Sequence, residues 1–504
     1  MSDVIKPVLG IAAIVFAPTL APMLLSSVGI AATAGAVAVA TAGVVLVGAS
    51  LVGSSTSDSM ASAVDIASVE GYAGAKLQTN KSNTAPVPII YGLHKLGGNI
   101  IWQDTNNAQN GDNTTNGYNR DYWAIIVIAG HEIEDIDYIY AGETTMSTVG
   151  STADYKFKTE YVHVKFYNSS TSARNVNSID WVIDNSGNTA TGSSKSLPSV
   201  TIPANVAFLA VHQVFDGENT KNTALEAITC KISGKNIRTI TNATTISTST
   251  SYSTNPAEIL LDLLTTGLDI ADADIDIATF YQAKTDCTSA GFTCNIALIQ
   301  QANIQSIIAD VLATCRGNIF HSESKWKFKI DTKSQSLADT LTSDDVLGNS
   351  LSINMAGSAT IANKVILKYI DPADEYLSKE SVKEDTSLQT YDGQIVTKIL
   401  DAKGVDSATQ ANKLCEIALN ALRYSEDASG NRVKQTPLAI SFATSVKNAH
   451  LEVGDVIALN HTLLDRVRKF LLLSTMTDQS GVVQISAREY AETHFKNSSG
   501  SYLI

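Results

Sequence analysis

Thr84-Ala85-Pro86-Val87-Pro88-Ile89-Ile90-Tyr91-Gly92-Leu93-His94-Lys95-Leu96-Gly97-Gly98 marks the point where this chain changes character. Prolines at the alternate positions 86 and 88 fix φ and remove two backbone donors, so the stretch reads as an edge strand that opens a β domain. Gly97-Gly98 then turns into a second strand over 99–102. Upstream the composition is different. From Pro7 to Ser57 no side chain is charged, and an Ala/Val/Gly run occupies 28–52. Downstream the chain is rich in Asn, Thr, Ser and Asp.

The apolar block is long enough to span a bilayer, which takes about 18 residues or more. Asp3 and Lys6 cancel in the leading segment, and Pro18 and Pro22 interrupt the apolar run, so a cleaved secretory signal fits poorly. The small residues of 28–53 suit close helix–helix packing, and Ser26, Ser27 and Gly29 can turn the chain. The reading is a hairpin of apolar helices over 1–57, followed by a polar linker at 58–83. Candidate plug or membrane-inserting residues are Val8, Ile11, Ile14, Phe16, Leu24, Leu25, Val37, Val39, Val44 and Leu46. Candidate residues of the opening strand are Pro86, Val87, Pro88, Ile89, Ile90, Tyr91 and Gly92.

A chain of 504 residues holds about three or four domains at roughly 100–200 residues each. Strands are expected at 122–129, 133–140, 161–167, 179–183, 206–215 and 227–232, with no helix signal between 89 and 237. This gives a β domain over 84–237 with a polar insertion near 145–200. The pattern then changes. Asn255-Pro256-Ala257-Glu258 is a helix start, Asp276 caps a helix over 277–283, and a third helix over 303–315 ends at Arg316-Gly317. Lys325-Trp326-Lys327-Phe328-Lys329-Ile330-Asp331 alternates strictly, which places its lysines toward water. Strands at 365–369 and 394–399 and a Ser407-capped helix over 407–424 follow. The α+β domains are drawn at 238–345 and 346–435, a closing β domain at 436–492, and a tail at 493–504.

Enzyme classes find little support. There is no Gly-x-Ser-x-Gly elbow and no phosphate-binding Gly loop. The eight histidines are scattered singly, and no CxxC pair exists. Asp269, Asp272, Asp274 and Asp276 are the densest acidic run. A calcium loop counted from Asp272 would place Ile277 and Ala283 where Gly and Glu belong, so capping and a solvated loop explain it. Five cysteines read as buried thiols, with a Cys287–Cys294 pair as the alternative. No catalytic, cofactor or metal residue is assigned. The net charge of −14 opposes a grip on nucleic acid through phosphate contacts and suits a wall that lets DNA pass.

Several stretches resemble the central tail-hub, or tail tip attachment, proteins of lambda-like long-tailed bacteriophages. They are the opening strand and Gly turn of 84–98; Asn255-Pro256-Ala257-Glu258-Ile259-Leu260-Leu261-Asp262-Leu263-Leu264 with Asp274-Ile275-Asp276-Ile277; Phe292-Thr293-Cys294-Asn295 with Ala313-Thr314-Cys315-Arg316-Gly317 and Lys325-Trp326-Lys327-Phe328; and Ile485-Ser486-Ala487-Arg488-Glu489-Tyr490. Together they cover roughly 84–490. The apolar N-terminus is similar to that of small tail-tip companion proteins of the same phages.

The resemblance implies an α+β, β-rich fold with two tail-tube-like β-barrel hub domains flanking α+β domains. It implies a homotrimer at the tail tip of the virion, against the distal tail protein ring and the tape measure protein, around a channel for DNA. Hub proteins usually continue past the Arg-Glu-Tyr region, and this chain stops at Ile504, which implies separate fibre or spike proteins for receptor binding. The apolar block is then expected to plug the tip at rest and to enter the host membrane during ejection. The rival reading is a membrane-anchored bacterial surface or secretion-system protein, with residues 8–53 as its anchor.

Overall fold

The computed structural model describes residues 45–46, 86–107, 120–149, 151–157, 162–169, 172–175, 180–182, 189–191, 201–215, 227–300, 302–333, 335–355, 361–374 and 376–504. Of the plug candidates only Leu46 falls among them. The helical hairpin expected over the apolar block lies outside the described residues except at Val45–Leu46, and there the chain is extended. It pairs antiparallel with Ile319 and Phe320. A hairpin edge offers unpaired N–H and C=O groups, and those ladder bonds replace helical ones at these two positions.

Two sheets face each other in the first β region. One runs, in order, Asn99–Asn107, Arg120–Ala129, Ala207–Phe215, Val162–Tyr167, Ser151–Phe157 and Ser147–Val149, antiparallel throughout. The other is built on the long strand Ile228–Asn242, flanked by Ile133–Ala141, Leu93–Leu96 and Thr245–Tyr252. Ala124, Ile126 and Ile128 from the first sheet pack on Ile133, Ile136, Ile139, Cys230 and Ile232 from the second. Trp123, Ile125 and Val127 project the other way and are also buried, against Ile202, Phe208 and Ala210. A strand covered on both faces shows no alternation, which is why 122–129 reads as one apolar run. The strand expected at 227–232 runs on to Asn242, and the Ser/Thr-rich Thr245–Tyr252 pairs back on it, mostly exposed.

The helical region forms as its caps dictate. Asn255 Oδ1 accepts from Ala257 N, Asp276 Oδ1 from Thr279 N and Asn303 Oδ1 from Gln305 N. The helices are Pro256–Asp262, Ile277–Ala290 and Ile304–Cys315. The second is longer than the sequence suggested, because its stop is Gly291, left-handed at φ +70. A second α+β segment places the helix Ala408–Arg423 over one face of a sheet ordered Leu377–Glu384, Lys364–Asp371, Thr397–Asp401. The two segments share one core: Leu260, Phe280, Leu312 and Phe328 of the first are continuous with Val365, Leu367, Leu414 and Cys415 of the second.

The last sheet is ordered Leu337–Thr342, Val456–Asn460, Arg468–Thr477, Val482–Glu489, Leu438–Ser445 and Ser352–Met355. Its two edge strands come from upstream, so the segment 361–424 is inserted between strands of one sheet. A single face curls round Leu341, Ile440, Phe442, Leu459, Phe470, Leu472 and Ile485. Among the described residues no helix is long and apolar enough to cross a membrane.

Candidate functional site

The opening strand is shared between two cores. Ile89–Tyr91 pairs antiparallel with Ile296–Leu298 of the helical region. Strand periodicity sends consecutive side chains to opposite faces. Ile90 therefore packs in the first β core, while Tyr91 packs among the helices. Its N-terminal side is held too: Asn99 Nδ2 donates to Pro86 O at 2.8 Å and Gly130 N to Pro88 O at 2.9 Å. Ile90 N donates to His131 Nε2 at 3.0 Å, and burial pulls that imidazole down from its usual pKa, favouring the neutral acceptor.

Beneath it lies a charged cluster. Tyr91 Oη donates to Asp262 Oδ2 at 2.6 Å, and Lys235 Nζ reaches the same oxygen at 2.5 Å. Burial, with Asp262 alongside, pushes the Tyr91 hydroxyl well up. Gly92 is left-handed at φ +68, and a Cβ there would strike Asn295 and lie 2.8 Å from the Cys294 carbonyl. Asn295 Oδ1 is already committed to Leu93 N at 2.8 Å. Gly234 N donates to Gly92 O at 2.8 Å, and its own missing Cβ leaves room for the Ile90 carbonyl. The two glycines allow three backbones to close on one another.

A second junction is made by Arg488-Glu489-Tyr490. Arg488 Nη2 donates to Asp331 Oδ2 at 2.5 Å, and Tyr490 Oη donates to Thr332 O at 2.7 Å. Both thus bind the segment leaving the Lys325–Ile330 strand. Glu489 points the other way. It accepts from Arg468 Nη1 at 2.7 Å and Leu438 N at 2.9 Å, both inside the closing sheet.

Of the lysine stripe, Lys325 faces water as expected, while Lys327 and Lys329 are drawn into ion pairs. Lys327 is buried, not solvated: its Nζ donates to Glu452 at 2.5 Å and Glu323 at 2.7 Å, while Lys329 reaches Glu452 at 3.2 Å and Asp455 at 2.8 Å. Glu323 is local, in the hairpin turn itself, whereas Glu452 and Asp455 arrive from the 451–455 turn of the closing sheet, far away in sequence. Burial opposes the charged Glu452, but hydrogen bonds from Lys327 and Ser322 outweigh it and hold its pKa low.

Other connectors gave only faint sequence signals. Gln410, on the apolar side of its helix, donates to Thr293 O and Thr314 O at 2.9 Å each. Asn420 donates to His494 O and Lys496 O at 2.9 Å each. Asp262 was legible as a charge embedded in a run of leucines. The acidic run at 269–276 is accounted for by the Asp276 cap and by Asp272, which takes two hydrogen bonds from Arg238 at 2.7 and 2.9 Å. Among the described residues no group of three His, Cys, Asp or Glu is placed to hold a metal. Cys287 and Cys294 are not bonded, and all five thiols are buried. Burial pushes Cys415 up to about 11.

Chemically, then, these junctions hold backbones and carboxylates in fixed relation. Outward, the sheet of the second α+β segment presents Val382, Ile366 and Ile399 in cross-strand register, with Val382 42% and Ile399 55% exposed. Apolar residues grouped on an open face are a feature of surfaces that meet other chains.

Residues 303–473 match the model of a family described as putative phage tail protein. In fold the chain is similar to a chain in the virion of a native gene transfer agent particle, at 12% identity and TM-score 0.54, covering 90% of this chain and 93% of that one. More distant similarities are a tail protein from Neisseria meningitidis MC58 (8% identity, TM-score 0.30, 74% of this chain and 97% of that one) and the prophage tail protein gp18 from Listeria monocytogenes EGD-e (7%, 0.29, 81% and 95%). No curated protein matches. The family match supports a structural phage-tail role, and the gene transfer agent chain shares the fold.

Proposed function

We propose that the chain is the central hub at the distal end of a long phage-type tail. It assembles as a homotrimer whose terminal β regions, 84–237 and 436–492, act as tube-like barrels closing the tail tube. It sits against the distal tail protein ring and the tape measure protein, and separate fibre or spike proteins supply receptor binding. The apolar N-terminus, 8–52, plugs the tip and enters the host membrane during genome ejection. The net charge of −14 keeps the wall from holding the passing DNA.

The observation that carries this reading is the rigid mounting of two β regions on one shared helical core. The opening strand divides its side chains between the first region and that core, and Arg488 and Tyr490 bind the other region to it. A ring that must meet a tail tube in register needs its β units fixed, and apolar plus ionic junctions of this kind do that.

Negative-stain imaging of a chain lacking residues 1–60 tests it. A threefold ring with an open lumen, formed alone or on the purified distal tail protein, is expected; an elongated monomer under both conditions refutes the hub. Ala36→Asp with Val44→Asp tests the plug: particles assemble but fail to deliver DNA, and normal infectivity would overturn that part.

A further inference from the structure

The strand Gly317–Ser322 pairs through one edge with Lys325–Ile330 and through the other with Val45–Leu46, Val45 opposite Phe320 and Leu46 opposite Ile319. Both of its faces are covered. Ile319 is packed in the shared helical core, and Phe320 lies on the opposite face with Lys329 Nζ 5.4 Å from its ring centre; both are buried. What the strand still offers a partner is the backbone of its outer edge. Phe328 N turns away from the hairpin ladder to donate to Thr279 Oγ1 at 3.3 Å, and Trp326 O turns away to accept from Asp276 N at 2.9 Å. Hydrogen-bonded and non-hydrogen-bonded pairs alternate in an antiparallel ladder. The partners of Phe328 and Trp326, which are Ile319 and His321, therefore aim their own N–H and C=O groups at the outer edge.

An edge left to water is normally guarded by charge or proline, because bare backbone groups there are a template for pairing. Guards are present elsewhere in this chain. The outer strand Leu377–Glu384 carries Lys379, Glu380, Lys383 and Glu384, and Pro86 and Pro88 precede the opening strand. Gly317-Asn318-Ile319-Phe320-His321-Ser322 holds no Lys, Arg, Asp, Glu or Pro. Such an edge suits an uncharged strand, which gives up no charge solvation on docking. The N-terminus supplies one, because Val44-Val45-Leu46-Val47 stands between Gly43 and Gly48. A β-branched run bounded by glycines is a strand signal, since Val is stiff at χ1 and packs well on a pleated surface. Composition and pairing agree at Val45–Leu46.

We propose that the outer edge of Gly317–Ser322 is a docking site for the chain's own apolar N-terminus, which adds to it as a strand at Val45–Leu46. The contact latches the apolar segment to the helical core. Ladder bonds at a wet edge each contribute little, so the latch can open when the segment leaves. That purpose rests on the reading of 8–52 as a plug, whereas the contact itself does not.

The test uses the full chain with a photoreactive phenylalanine analogue in place of the exposed His321, prepared as a mixture of heavy-isotope-labelled and unlabelled chains. After irradiation and peptide mapping, a crosslink to residues 43–48 of the same chain is expected. No crosslink to that segment, or crosslinks to it only between chains, overturns the proposal. Hydrogen exchange gives a second reading without a probe at the edge. Leu46→Pro removes the backbone donor that faces Ile319, and the Ile319 amide should then exchange about three- to tenfold faster, as the loss of one edge hydrogen bond gives. Unchanged exchange at Ile319 overturns the latch as well. Both readings are made on the isolated chain, so their failure removes the latch without touching the hub or the plug, which imaging and infectivity test separately.

Discussion

Replacing Gly92 with Ala should loosen the junction that joins the first β region to the helical core. The magnitude comes from three sources. A left-handed non-glycine residue costs about 1–2 kcal/mol. Displacing Asn295 Oδ1 from Leu93 N forfeits a part-buried hydrogen bond, roughly 0.5–1.5 kcal/mol. The Cys294 carbonyl, 2.8 Å from the new Cβ, is backbone and cannot swing aside, so overpacking adds about 1–3 kcal/mol. Together these amount to about 2.5–6.5 kcal/mol. Gly393 supplies the control, because it has the same φ of +68 but nothing within 4 Å of its Cβ. Gly393→Ala should therefore cost only the conformational term, about 1–2 kcal/mol. Native-state hydrogen exchange reads both locally, at the Ile90 and Leu93 amides for one variant and in the Thr386–Asp392 helix for the other, avoiding any assumption that so large a chain unfolds in one step. If Gly92→Ala exchanges with a penalty no larger than that of Gly393→Ala, the reasoning that packing at Asn295 and Cys294 holds the junction is wrong.

Glu489→Gln leaves Arg468, 4% exposed, with only the more exposed Asp465 as an ionic partner, and should destabilise the closing sheet by about 1–3 kcal/mol; unchanged exchange protection across Arg468–Thr477 would contradict this. Asp385 is partly desolvated, yet hydrogen bonds from Ser387, Tyr424 and the Leu388 amide hold its pKa down to about 2. Its folded value lies below the unfolded value of about 4, so its contribution is complete above about pH 4 and is lost as pH falls through about 2. Ser387 and Leu388 amide exchange should accelerate across that window, and Asp385→Asn should flatten the dependence. The five buried thiols should resist a thiol reagent in the native chain and all react on unfolding; a native mass short by two hydrogens would reveal a disulfide and refute the unbonded assignment.

Local signals carried much of the fold. The caps at Asn255, Asp276 and Ser407 start helices where their side-chain acceptors meet free N–H groups, and those interactions lie within three residues. The Pro86/Pro88 spacing announced an extended segment for an equally local reason. What local signals missed were long-range partners. The lysine alternation at 325–329 was legible as a strand, but its exposure depended on Glu452 and Asp455, more than a hundred residues away. Thr245–Tyr252 and Thr386–Asp392 gave weak patterns because they are mostly exposed and take their order from neighbours.

By itself the sequence determined the capped helices and the buried strands and their order, because capping, turn chemistry and hydrophobic period act over a few residues. It also determined the contrast between an uncharged N-terminus and an acidic body. Only the tertiary structure decided that the strands Leu337–Thr342 and Ser352–Met355 belong to the closing sheet, that the two α+β segments share one core, and that Ile90 and Tyr91 serve different ones. Those outcomes depend on which surfaces find each other once the chain has collapsed. The period-2 geometry of a strand fixes that its two faces differ, while the identity of what covers each face is a property of the whole fold.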